Sequence, residues 1–363
     1  MSDRKTALVT GGAGFIGSAL VRRLAQDPYY GRIVVVDALT YAGRRDNLDG
    51  LVLQGGTPIE LTITDICDEP AIAAIVDRVR PDVVFHLAAE SHVDRSIDDA
   101  GPFFRTNVGG TLSVFEALRR ARPLLGKDVR VVHVSTDEVL GEPAHGVWLD
   151  ETAGCAPRSP YAASKAAGEH VARAWAITHG MHVVVVRPAN VFGPRQLPEK
   201  LIPLVTLRGS AGRSLPVYGD GSARRDWIHV DDACDGLVLA ALTPSGTVVH
   251  LASGAERSTV EVVEAICAAL DVRHPRAVGT HRDLVELVAD RPGHDRRYGI
   301  DGAATRRLLG WQPRVAFDAG IDATVGWYLD NEAWWRDLGP IGERLGLSTT
   351  SDTTPGPSPR AAT

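Results

Sequence analysis

The sequence predicts an α/β protein with a doubly wound parallel sheet and a smaller C-terminal lobe. Three observations lead to this prediction. Short apolar strands alternate with amphipathic helices through the first half of the chain, a glycine-rich turn follows the first strand, and an aspartate ends the second. Parallel strands need helical crossovers, so this alternation favours a Rossmann sheet with ligands at the carboxyl ends of its strands.

The first strand and the turn after it indicate a dinucleotide site. Residues 6–10 form an apolar run that stops at the sequence Gly-Gly-Ala-Gly-Phe-Ile-Gly of residues 11–17, and a helix pattern follows at 18–25. Glycines in this spacing allow a tight turn and let a pyrophosphate approach backbone N–H groups at a helix N-terminus. The second strand, 33–36, ends in Asp37, twenty positions after the last glycine. An acid there accepts a hydrogen bond from a ribose hydroxyl and repels a 2′-phosphate, so NAD is favoured over NADP.

The elements that follow alternate as a doubly wound sheet requires. They are a strand at 59–63, a helix at 69–79, a strand at 83–87, a helix at 109–121, a strand at 130–134, a helix that continues to 179 and a strand at 183–186. From residue 187 onward, Gly and Pro interrupt the pattern, and helices are predicted at 258–270 and 318–330.

Composition excludes several classes of function. The net charge of the 363 residues is -6, which argues against a nucleic-acid binder with a basic surface. No apolar run is long enough to span a membrane, and no signal-peptide pattern precedes the first strand. The four cysteines are scattered, so neither a metal site nor a disulfide framework is expected. We therefore expect a cytoplasmic protein with no membrane or nucleic-acid partner and no metal.

Two stretches carry candidate catalytic groups. Thr136, Asp137 and Glu138 follow the fifth strand, and Tyr161 and Lys165 lie four apart at the start of a helix, on one face. An ammonium group beside a phenol stabilises the phenolate and makes it a usable base. Two carboxyl groups in different surroundings can divide the roles of acid and base. The alternative is that the two acids only cap a turn.

The glycine turn together with Tyr-x-x-x-Lys resembles the extended short-chain dehydrogenase/reductase superfamily. Within it, the sequence is similar to the nucleotide-sugar 4,6-dehydratases, in particular those acting on dTDP-glucose, over about residues 5–335. The similar strings begin at Asp37, Ala88, Ser135, Pro198, Tyr218, Arg225 and Arg291. The most specific of them is Thr-Asp-Glu, since related epimerases and decarboxylases carry other residues at the position of Asp137.

The resemblance implies an NAD-dependent dehydration. Tyr161, supported by Lys165, takes the proton of the sugar 4-hydroxyl while the C4 hydride passes to NAD, and Thr136 hydrogen-bonds the same oxygen. Glu138 removes the C5 proton, and Asp137 protonates the departing 6-hydroxyl. The hydride then returns to C6, which leaves a 4-keto-6-deoxy sugar nucleotide and regenerates NAD.

The resemblance also assigns binding residues. Those expected to hold NAD are Gly11, Gly14, Phe15, Ile16, Gly17, Asp37, Leu39, Thr40, Asp65, Ile66, Leu87, Ala88, Ala89, Ser91, Thr106, Tyr161, Lys165 and Val191. Those expected to hold the nucleotide sugar are Ser91, Thr136, Asn190, Lys200, Leu201, Pro216, Val217, Tyr218, Arg225, Arg291 and His294. An alternative for Arg225 is a local ion pair with Asp226.

The predicted domains follow from these sites. We expect an NAD-binding Rossmann domain at 1–186 that includes the Tyr/Lys helix. A mainly substrate-binding lobe with returning Rossmann elements is expected at 187–335, and a disordered tail at 348–363. The resemblance implies a homodimer through a four-helix interface formed by the Tyr161 helix and the helix at 109–121.

The sequence departs from the family pattern at two places near the expected pocket. Leu140 stands where the family has Tyr, and residues 189–195 read Ala-Asn-Val-Phe-Gly-Pro-Arg instead of Ser-Asn-Asn-Tyr-Gly-Pro-Tyr. These departures leave the nucleobase and the sugar open, and the role of His250 is also open. The alternatives are a dehydratase for a modified sugar nucleotide, a 4-epimerase or decarboxylase of the same superfamily, and a regulatory NAD-binding protein.

Overall fold

The structure, a computed structural model, describes residues 4–51, 57–126, 128–144, 146–290, 294–336 and 338. The strands are, in chain order, β1 (Lys5–Thr10), β2 (Tyr30–Asp37), β3 (Ile59–Ile63), β4 (Val83–His86), β5 (Arg130–Val134), β6 (His182–Pro188), β7 (Asn190–Phe192), β8 (Leu215–Tyr218), β9 (Arg224–His229), β10 (Val248–Leu251), β11 (Glu256–Ser258) and β12 (Val285–Val288). The α-helices are α1 (Phe15–Ala25), α2 (Glu69–Val79), α3 (Val93–Asp98), α4 (Gly101–Phe104), α5 (Thr111–Leu125), α6 (Pro160–His179), α7 (Leu201–Ser210), α8 (Val230–Ala240), α9 (Thr259–Arg273), α10 (Ala303–Leu309), α11 (Phe317–Asp330) and α12 (Glu332–Arg336). The expected tail at 348–363 lies outside the described residues.

Seven parallel strands form the central sheet in the order β3-β2-β1-β4-β5-β6-β10. The chain builds β1, β2 and β3 in one direction and then crosses back to place β4 on the other side of β1. The carboxyl ends of β1 and β4 therefore flank the switch point, where a crevice opens in sheets of this topology. The predicted fold class is confirmed.

Apolar side chains cover both faces of this sheet. One buried cluster joins its strands to α1 and α8, and another joins them to α2, α5 and α6. Strands buried on both faces read as continuous Val and Ile runs, which is why β2 and β6 could be recognised in the sequence. No described helix combines the length and the apolarity that a membrane span needs.

The C-terminal lobe has a hydrophobic core of its own. Strands β11, β9 and β7 form a small mixed sheet, β12 and β8 form a parallel pair, and α7, α9 and α11 pack together beside them. The strand β10 returns to the edge of the central sheet, where it pairs with β6. The boundaries proposed for the two domains stay a prediction.

A buried ion pair fixes α6 against the sheet. Arg187 on β6 donates two hydrogen bonds to Glu169 on α6, at 3.0 Å from Nε and 2.5 Å from Nη2, and both side chains are fully buried. The Arg187 guanidinium also lies 3.4 Å from Nε2 of His250. Glu169 is one helical turn beyond Lys165, so this pair positions the segment that carries the candidate base.

Helix α5 begins two residues later than the sequence suggests. A π-helical segment, Arg105–Gly110, connects it without a break to the short helix α4. Within this segment, Asn107 donates to the carbonyl oxygen of Glu90 and to Oγ of Ser164, and it accepts from the backbone N–H of Glu90. The π-helical segment thus ties the loop after β4 to the start of α6.

Candidate active site

Two cavities meet at the carboxyl edge of the central sheet. The first, which we call the glycine-turn cavity, has a volume of about 260 Å³. The second, the lobe cavity, has a volume of about 440 Å³ and lies largely between the sheet and the C-terminal lobe. Glu199 and Lys200 line both cavities, so the segment between β7 and α7 forms their shared wall.

The glycine turn is shaped by close backbone approach. A Cβ on Gly17 would lie 2.0 Å from the carbonyl oxygen of Gly11, and a Cβ on Gly11 would lie 2.6 Å from the backbone nitrogen of Ala88. Gly11 also has a φ of 70°, a value that favours glycine. A larger residue at position 11 would push the turn away from the end of β4, and one at position 17 would push α1 away from the turn. This cradle therefore fits the diphosphate of a dinucleotide at the N-terminus of α1.

Asp37 lies where the sequence predicts, at the end of β2 and on the wall of the glycine-turn cavity. Its two oxygens each accept a backbone N–H, from Ala13 and from Leu39, at 2.9 Å. Burial raises the pKa of the Asp37 carboxyl. Each oxygen keeps a second lone pair, so the group can still accept from a ribose hydroxyl.

Most of the predicted NAD-binding residues line this one cavity. Those that do are Gly11, Gly14, Phe15, Ile16, Gly17, Asp37, Thr40, Asp65, Ile66, Leu87, Ala88, Ala89, Ser91, Thr106, Tyr161 and Lys165. Leu39 and Val191 are not among its lining residues: Leu39 contributes its N–H to Asp37, and the carbonyl oxygen of Val191 accepts from Gln196. Sequence reasoning missed Ser135, Gln196 and Leu197 on this wall. Only Ser135 carried a signal, its place directly after a strand.

The Thr-Asp-Glu triplet forms a tight turn at the end of β5. Thr136 caps the 3-10 turn Asp137–Leu140, with its Oγ1 accepting the backbone N–H of Glu138 at 3.3 Å and lying 3.2 Å from Oδ1 of Asp137. The capping side chain is that of Thr136, so the alternative that Asp137 and Glu138 serve only as caps of this turn does not hold.

The surroundings of the two acids differ. Asp137 is only 2% exposed, and burial together with the charge of Glu138 raises the pKa of Asp137 to about 8. Its Oδ2 has no hydrogen-bond partner among the described residues. Oε2 of Glu138, in contrast, lies 3.3 Å from the hydroxyl of Tyr298, which donates to Asp295 at 2.8 Å. At neutral pH the pair therefore offers one protonated acid next to a second carboxyl group.

Tyr161 and Lys165 lie in the first turns of α6. Ser159 caps this helix by accepting from the backbone N–H of Ala162, and the backbone N–H of Tyr161 donates to Oγ of Ser96. Burial and the charge of Glu138 raise the pKa of Tyr161, which hydrogen-bonds Thr136. The hydroxyl of Tyr161 thus belongs to the same cluster as Thr136 and Glu138.

The Lys165 ammonium group is held by the sheet. It is buried and donates to the carbonyl oxygen of Val134 at 2.7 Å. Burial lowers the pKa of Lys165 to about 8, partly offset by the charge of Glu169. The amine therefore changes its protonation close to neutral pH, in the range where it can exchange protons with a neighbouring hydroxyl.

The lobe cavity collects most of the residues predicted to hold a nucleotide sugar. Those that line it are Asn190, Lys200, Leu201, Pro216, Tyr218, Arg225 and His294. Ser91 lines the glycine-turn cavity instead, where its carbonyl oxygen accepts from Nζ of Lys200. Val217 is fully buried in the core of the lobe, since successive side chains of β8 point to opposite faces. Thr136 lines neither cavity, and Arg291 lies outside the described residues.

Arg225 does not pair with its neighbour Asp226. Its guanidinium donates to the carbonyl oxygens of Arg224 and Asp295 and lies 4.2 Å above the ring of Tyr298. Asp226 instead accepts from the backbone N–H groups of residues 253 and 254. The alternative of a local ion pair is therefore wrong. The Arg225 guanidinium instead packs against Tyr298, whose hydroxyl lies near Glu138.

Two residues that depart from the family pattern are held by packing, Leu140 in the core and Arg195 directly before Gln196 on the wall of the glycine-turn cavity. Leu140 is 3% exposed and packs in the core of the Rossmann face. Arg195 stacks 5.1 Å from the ring centroid of Trp327, with a φ of 71°. Neither residue is on the lining of either cavity.

Among the described residues, no group of three His, Cys, Asp or Glu side chains is placed to hold a metal ion. His250 is buried behind the site, where its Nδ1 lies 3.2 Å from the carbonyl oxygen of Asp301. It takes part in the packing around Arg187 and not in either cavity.

Comparison with known proteins decides the family. The sequence model of the family described as GDP-mannose 4,6 dehydratase matches residues 8–324. A dTDP-glucose 4,6-dehydratase from Neisseria meningitidis is 44% identical over 341 residues, covering 91% of this chain and 95% of the relative. The chain belongs to the nucleotide-sugar 4,6-dehydratase family. The predicted resemblance is thus confirmed.

Other members of this family are similar in sequence and in structure. The dTDP-glucose 4,6-dehydratase 1 of Escherichia coli K12 is 43% identical, covering 90% of this chain and 93% of the relative. A dTDP-glucose 4,6-dehydratase from Streptomyces venezuelae, solved with NAD and TYD bound, has a TM-score of 0.83 at 42% identity, covering 92% of this chain and 99% of that one. A UDP-glucose 4-epimerase from Thermus thermophilus, solved with NAD, has a TM-score of 0.79 at 30% identity, covering 90% and 99%. The dehydratase family thus shares its fold with epimerases, and the chemistry must be argued from the site.

Proposed function

We propose that this chain is an NAD-dependent hydro-lyase that converts a nucleotide hexose, with dTDP-glucose as the foremost candidate, to its 4-keto-6-deoxy form. The observation that carries the proposal is the buried Asp137, whose pKa of about 8 keeps it protonated at neutral pH. An epimerase working from the same Tyr161 and Lys165 has no leaving hydroxyl to protonate. The dehydratases found among the relatives support the same choice.

The glycine-turn cavity supports NAD as the cofactor. The close approach of Gly11 and Gly17 leaves backbone N–H groups open to a diphosphate, and Asp37 stands ready to accept from the adenosine ribose. Bound NAD supplies a hydride acceptor early in the turnover, a hydride donor at its end, and a positive charge that favours the Tyr161 phenolate. Tyr161 and Lys165 line the same cavity, so the proposed base and the cofactor share one space.

In the first step, Tyr161 takes the proton of the sugar 4-hydroxyl as C4 loses its hydride. Thr136, already bonded to Tyr161, hydrogen-bonds the same oxygen and orients it. Even with Lys165 in the same cavity, burial and the charge of Glu138 hold the pKa of Tyr161 above its ordinary value. The positive charge of bound NAD would lower it, and the Lys165 amine, whose pKa is about 8, would accept the proton onward.

In the second step, the elimination divides between the two acids. A ketone at C4 makes the C5 hydrogen acidic, and Glu138 removes it as a proton. Asp137, which carries a proton at neutral pH, gives it to the 6-hydroxyl, and the C6–O bond breaks to release water. Glu138 returns its proton to C5 as C6 gains the hydride, which completes the product. Tyr161 then carries one proton more and Asp137 one proton fewer than at the start, and proton exchange with solvent restores both groups.

The lobe cavity is the proposed place of the nucleotide. Arg225 and His294 provide positive or donor groups suited to a diphosphate, and Tyr218 and Pro216 provide apolar faces for a nucleobase. Arg291 remains part of this proposal from the sequence alone. The named relatives act on dTDP-glucose, which makes thymidine the first nucleoside to test.

We also propose that the protein is a homodimer and that it acts in the cytoplasm. Helices α5 and α6 pack side by side on one face of the sheet and expose apolar side chains outward, among them Leu112 on α5 and Ile177 on α6, which are 40% and 83% exposed. The outer face of α6 offers the small residues Ala163, Ala167 and Ala174. Such a face supports close packing against the same two helices of a second copy.

The proposal is tested by incubating the purified protein with a panel of nucleotide hexoses and following their masses. We expect dTDP-glucose to lose one water, without added reductant and with no net change in NAD. An unchanged mass together with an inverted C4 centre would assign the chain to the epimerases instead. If only a nucleotide with a modified hexose loses water, the proposed reaction stands and the proposed substrate is wrong.

A further inference from the structure

The last helices of the described chain reach back to the glycine turn through a single buried side chain. Trp334 on α12 donates its indole N–H to Oδ1 of Asn47 at 2.9 Å, and Nδ2 of Asn47 donates to the carbonyl oxygen of Ala13 at 2.8 Å. Asn47 is 1% exposed. An indole can only donate and a carbonyl can only accept, so both contacts agree on the orientation of the carboxamide.

Ala13 lies at the centre of the glycine turn. Its backbone N–H donates to Asp37, and its carbonyl oxygen also accepts from the backbone N–H of Arg44 at 3.0 Å. The guanidinium of Arg44 lies 5.1 Å from the ring centroid of Trp334. The peptide group of Ala13, which helps to shape the dinucleotide cradle, is therefore linked to Trp334 on α12 through one intervening side chain, that of Asn47.

The same helices hold the opposite wall of the glycine-turn cavity. The hydroxyl of Tyr328 donates to the carbonyl oxygen of Gln196, and the guanidinium of Arg195 stacks on Trp327. Gln196 and the next residue, Leu197, line the cavity. The positive φ of Arg195 is a conformation that a non-glycine residue adopts only when its surroundings hold it there.

Aromatic contacts make α11 and α12 a single unit. The rings of Trp327 and Trp334 lie 5.1 Å apart, and those of Tyr328 and Trp334 lie 6.3 Å apart. The unit therefore bonds to both walls at once: to the glycine turn through Trp334 and to the segment at 195–197 through Tyr328 and Trp327. To open the cavity by moving these walls apart, the contacts on one side have to break.

We propose that α11 and α12 form a C-terminal brace that holds the two walls of the glycine-turn cavity together and slows the release of NAD. The inference deepens the proposed function, on which its cofactor rests. In the proposed reaction the hydride taken from C4 returns to C6 of the same sugar, so NAD that leaves between the two steps ends the turnover without product. Asn47 and Trp334 are positioning residues for the cofactor in this account.

The test compares two tryptophan variants. Trp334→Phe keeps an aromatic ring and removes the N–H that bonds to Asn47. Trp175→Phe, far from the brace on α6, removes an N–H that donates at 3.0 Å to Glu116 and serves as the control. Each protein is loaded with labelled NAD, chased with unlabelled NAD in the absence of sugar, and the release rate is measured. The lost bond leaves the Asn47 oxygen unsatisfied, so we expect Trp334→Phe to release NAD about fivefold faster and Trp175→Phe to match the wild type. Equal release rates for the two variants would overturn the brace.

A measurement on the wild-type protein keeps the inference testable if Trp334→Phe folds poorly. Coupling between two sites is reciprocal, so a brace that retains NAD must itself be stabilised by NAD. We expect saturating NAD to slow hydrogen–deuterium exchange in peptides covering 44–48 and 332–336. Unchanged exchange there, with NAD bound, would overturn the brace and leave the proposed function standing. A wild-type protein that binds no NAD would overturn both.

Discussion

Asp137 and Glu138 are neighbours in sequence with different surroundings, and the proposed chemistry depends on that difference. Asp137 lies against the end of β5 with one oxygen unpartnered, while Glu138 lies near the hydroxyl of Tyr298. The positions of both acids were predictable because they follow a strand end directly. The contact with Tyr298 was not, because that residue comes 160 positions later, in a stretch without periodic pattern.

Replacing Asp137 tests the division of roles at the level of one residue. Asp137→Asn cannot donate a carboxylic proton, so we expect dehydration to slow by about 10²- to 10⁴-fold while oxidation at C4 proceeds and enzyme-bound NADH accumulates. Stopped-flow absorbance of NADH and product mass measure the two steps separately. Asp77→Asn, which changes an exposed acid on α2, serves as the matched control.

The pH dependence of the elimination step tests the same role of Asp137. Asp137 acts in its protonated form, and its pKa of about 8 predicts that wild-type elimination slows as the pH rises through that value. Protonation also favours the folded state here: the pKa of Asp137 in the folded protein lies above its ordinary value of 3.8, so this stabilisation is fully present below about pH 4 and is lost as the pH rises through about 8. Dehydration by Asp137→Asn at the wild-type rate would exclude the acid role.

Among the elements, α6 joins the catalytic chemistry to the sheet. The strand β3, which alternates apolar and polar residues, the Val-rich strand β5 and the helix α2, which has a clear apolar stripe, were predictable to the residue. The π-helical segment at Arg105–Gly110 was not, since its residue types suit an α-helix equally well and only tertiary contacts select the wider turn. The lobe helix α7 was hidden by Pro203 and Gly209, which interrupt its apolar pattern.

The buried ion pair between Glu169 and Arg187 is expected to stabilise the packing of α6 against the sheet. Glu169→Gln leaves the Arg187 charge buried without its counter-ion, so we expect a loss of about 3–5 kcal/mol in the free energy of unfolding, measured with urea. The pKa of Lys165 should also fall, because the charge of Glu169 raises it. That fall should appear in the pH profile of C4 oxidation.

A surface pair provides the control for this variant. Glu60→Gln removes a carboxylate that pairs with Arg32 and Arg78 on the partly exposed surface of the sheet edge. Such pairs contribute little, so the expected loss is below about 1 kcal/mol. Equal losses for the two variants would mean that the burial of Glu169 adds nothing to the stability of α6.

For the whole molecule, the doubly wound sheet was predictable, whereas the path of the chain after β6 was not. The return of β10 to the sheet edge follows three lobe strands and two helices, and its four residues carry no signal that separates them from a lobe strand. The family resemblance supplied the lobe and its cavity in outline. Which side chains reach the cavity depended on strand alternation, as Val217 shows.

A substitution on the outer face of α5 tests the proposed homodimer. Leu112→Glu places a charge on the outer face of α5, where a four-helix interface would bury it, so we expect light scattering to show monomers in place of dimers. Leu308→Glu, at a 52% exposed position on α10, is the matched control and should leave the dimer intact. A wild-type monomer, or an unaltered Leu112→Glu dimer, would contradict the proposed interface.

The shared wall formed by Glu199 and Lys200 has a consequence for redesign. Both residues face the two cavities at once, and Nζ of Lys200 also holds the loop at Ser91. A substitution introduced there to accept a different nucleotide would disturb cofactor retention at the same time. Changes on the far side of the lobe cavity, at Glu286 or Ser214, touch only one ligand. Specificity can therefore be engineered independently of the redox site from that side of the lobe, and not from the wall between the cavities.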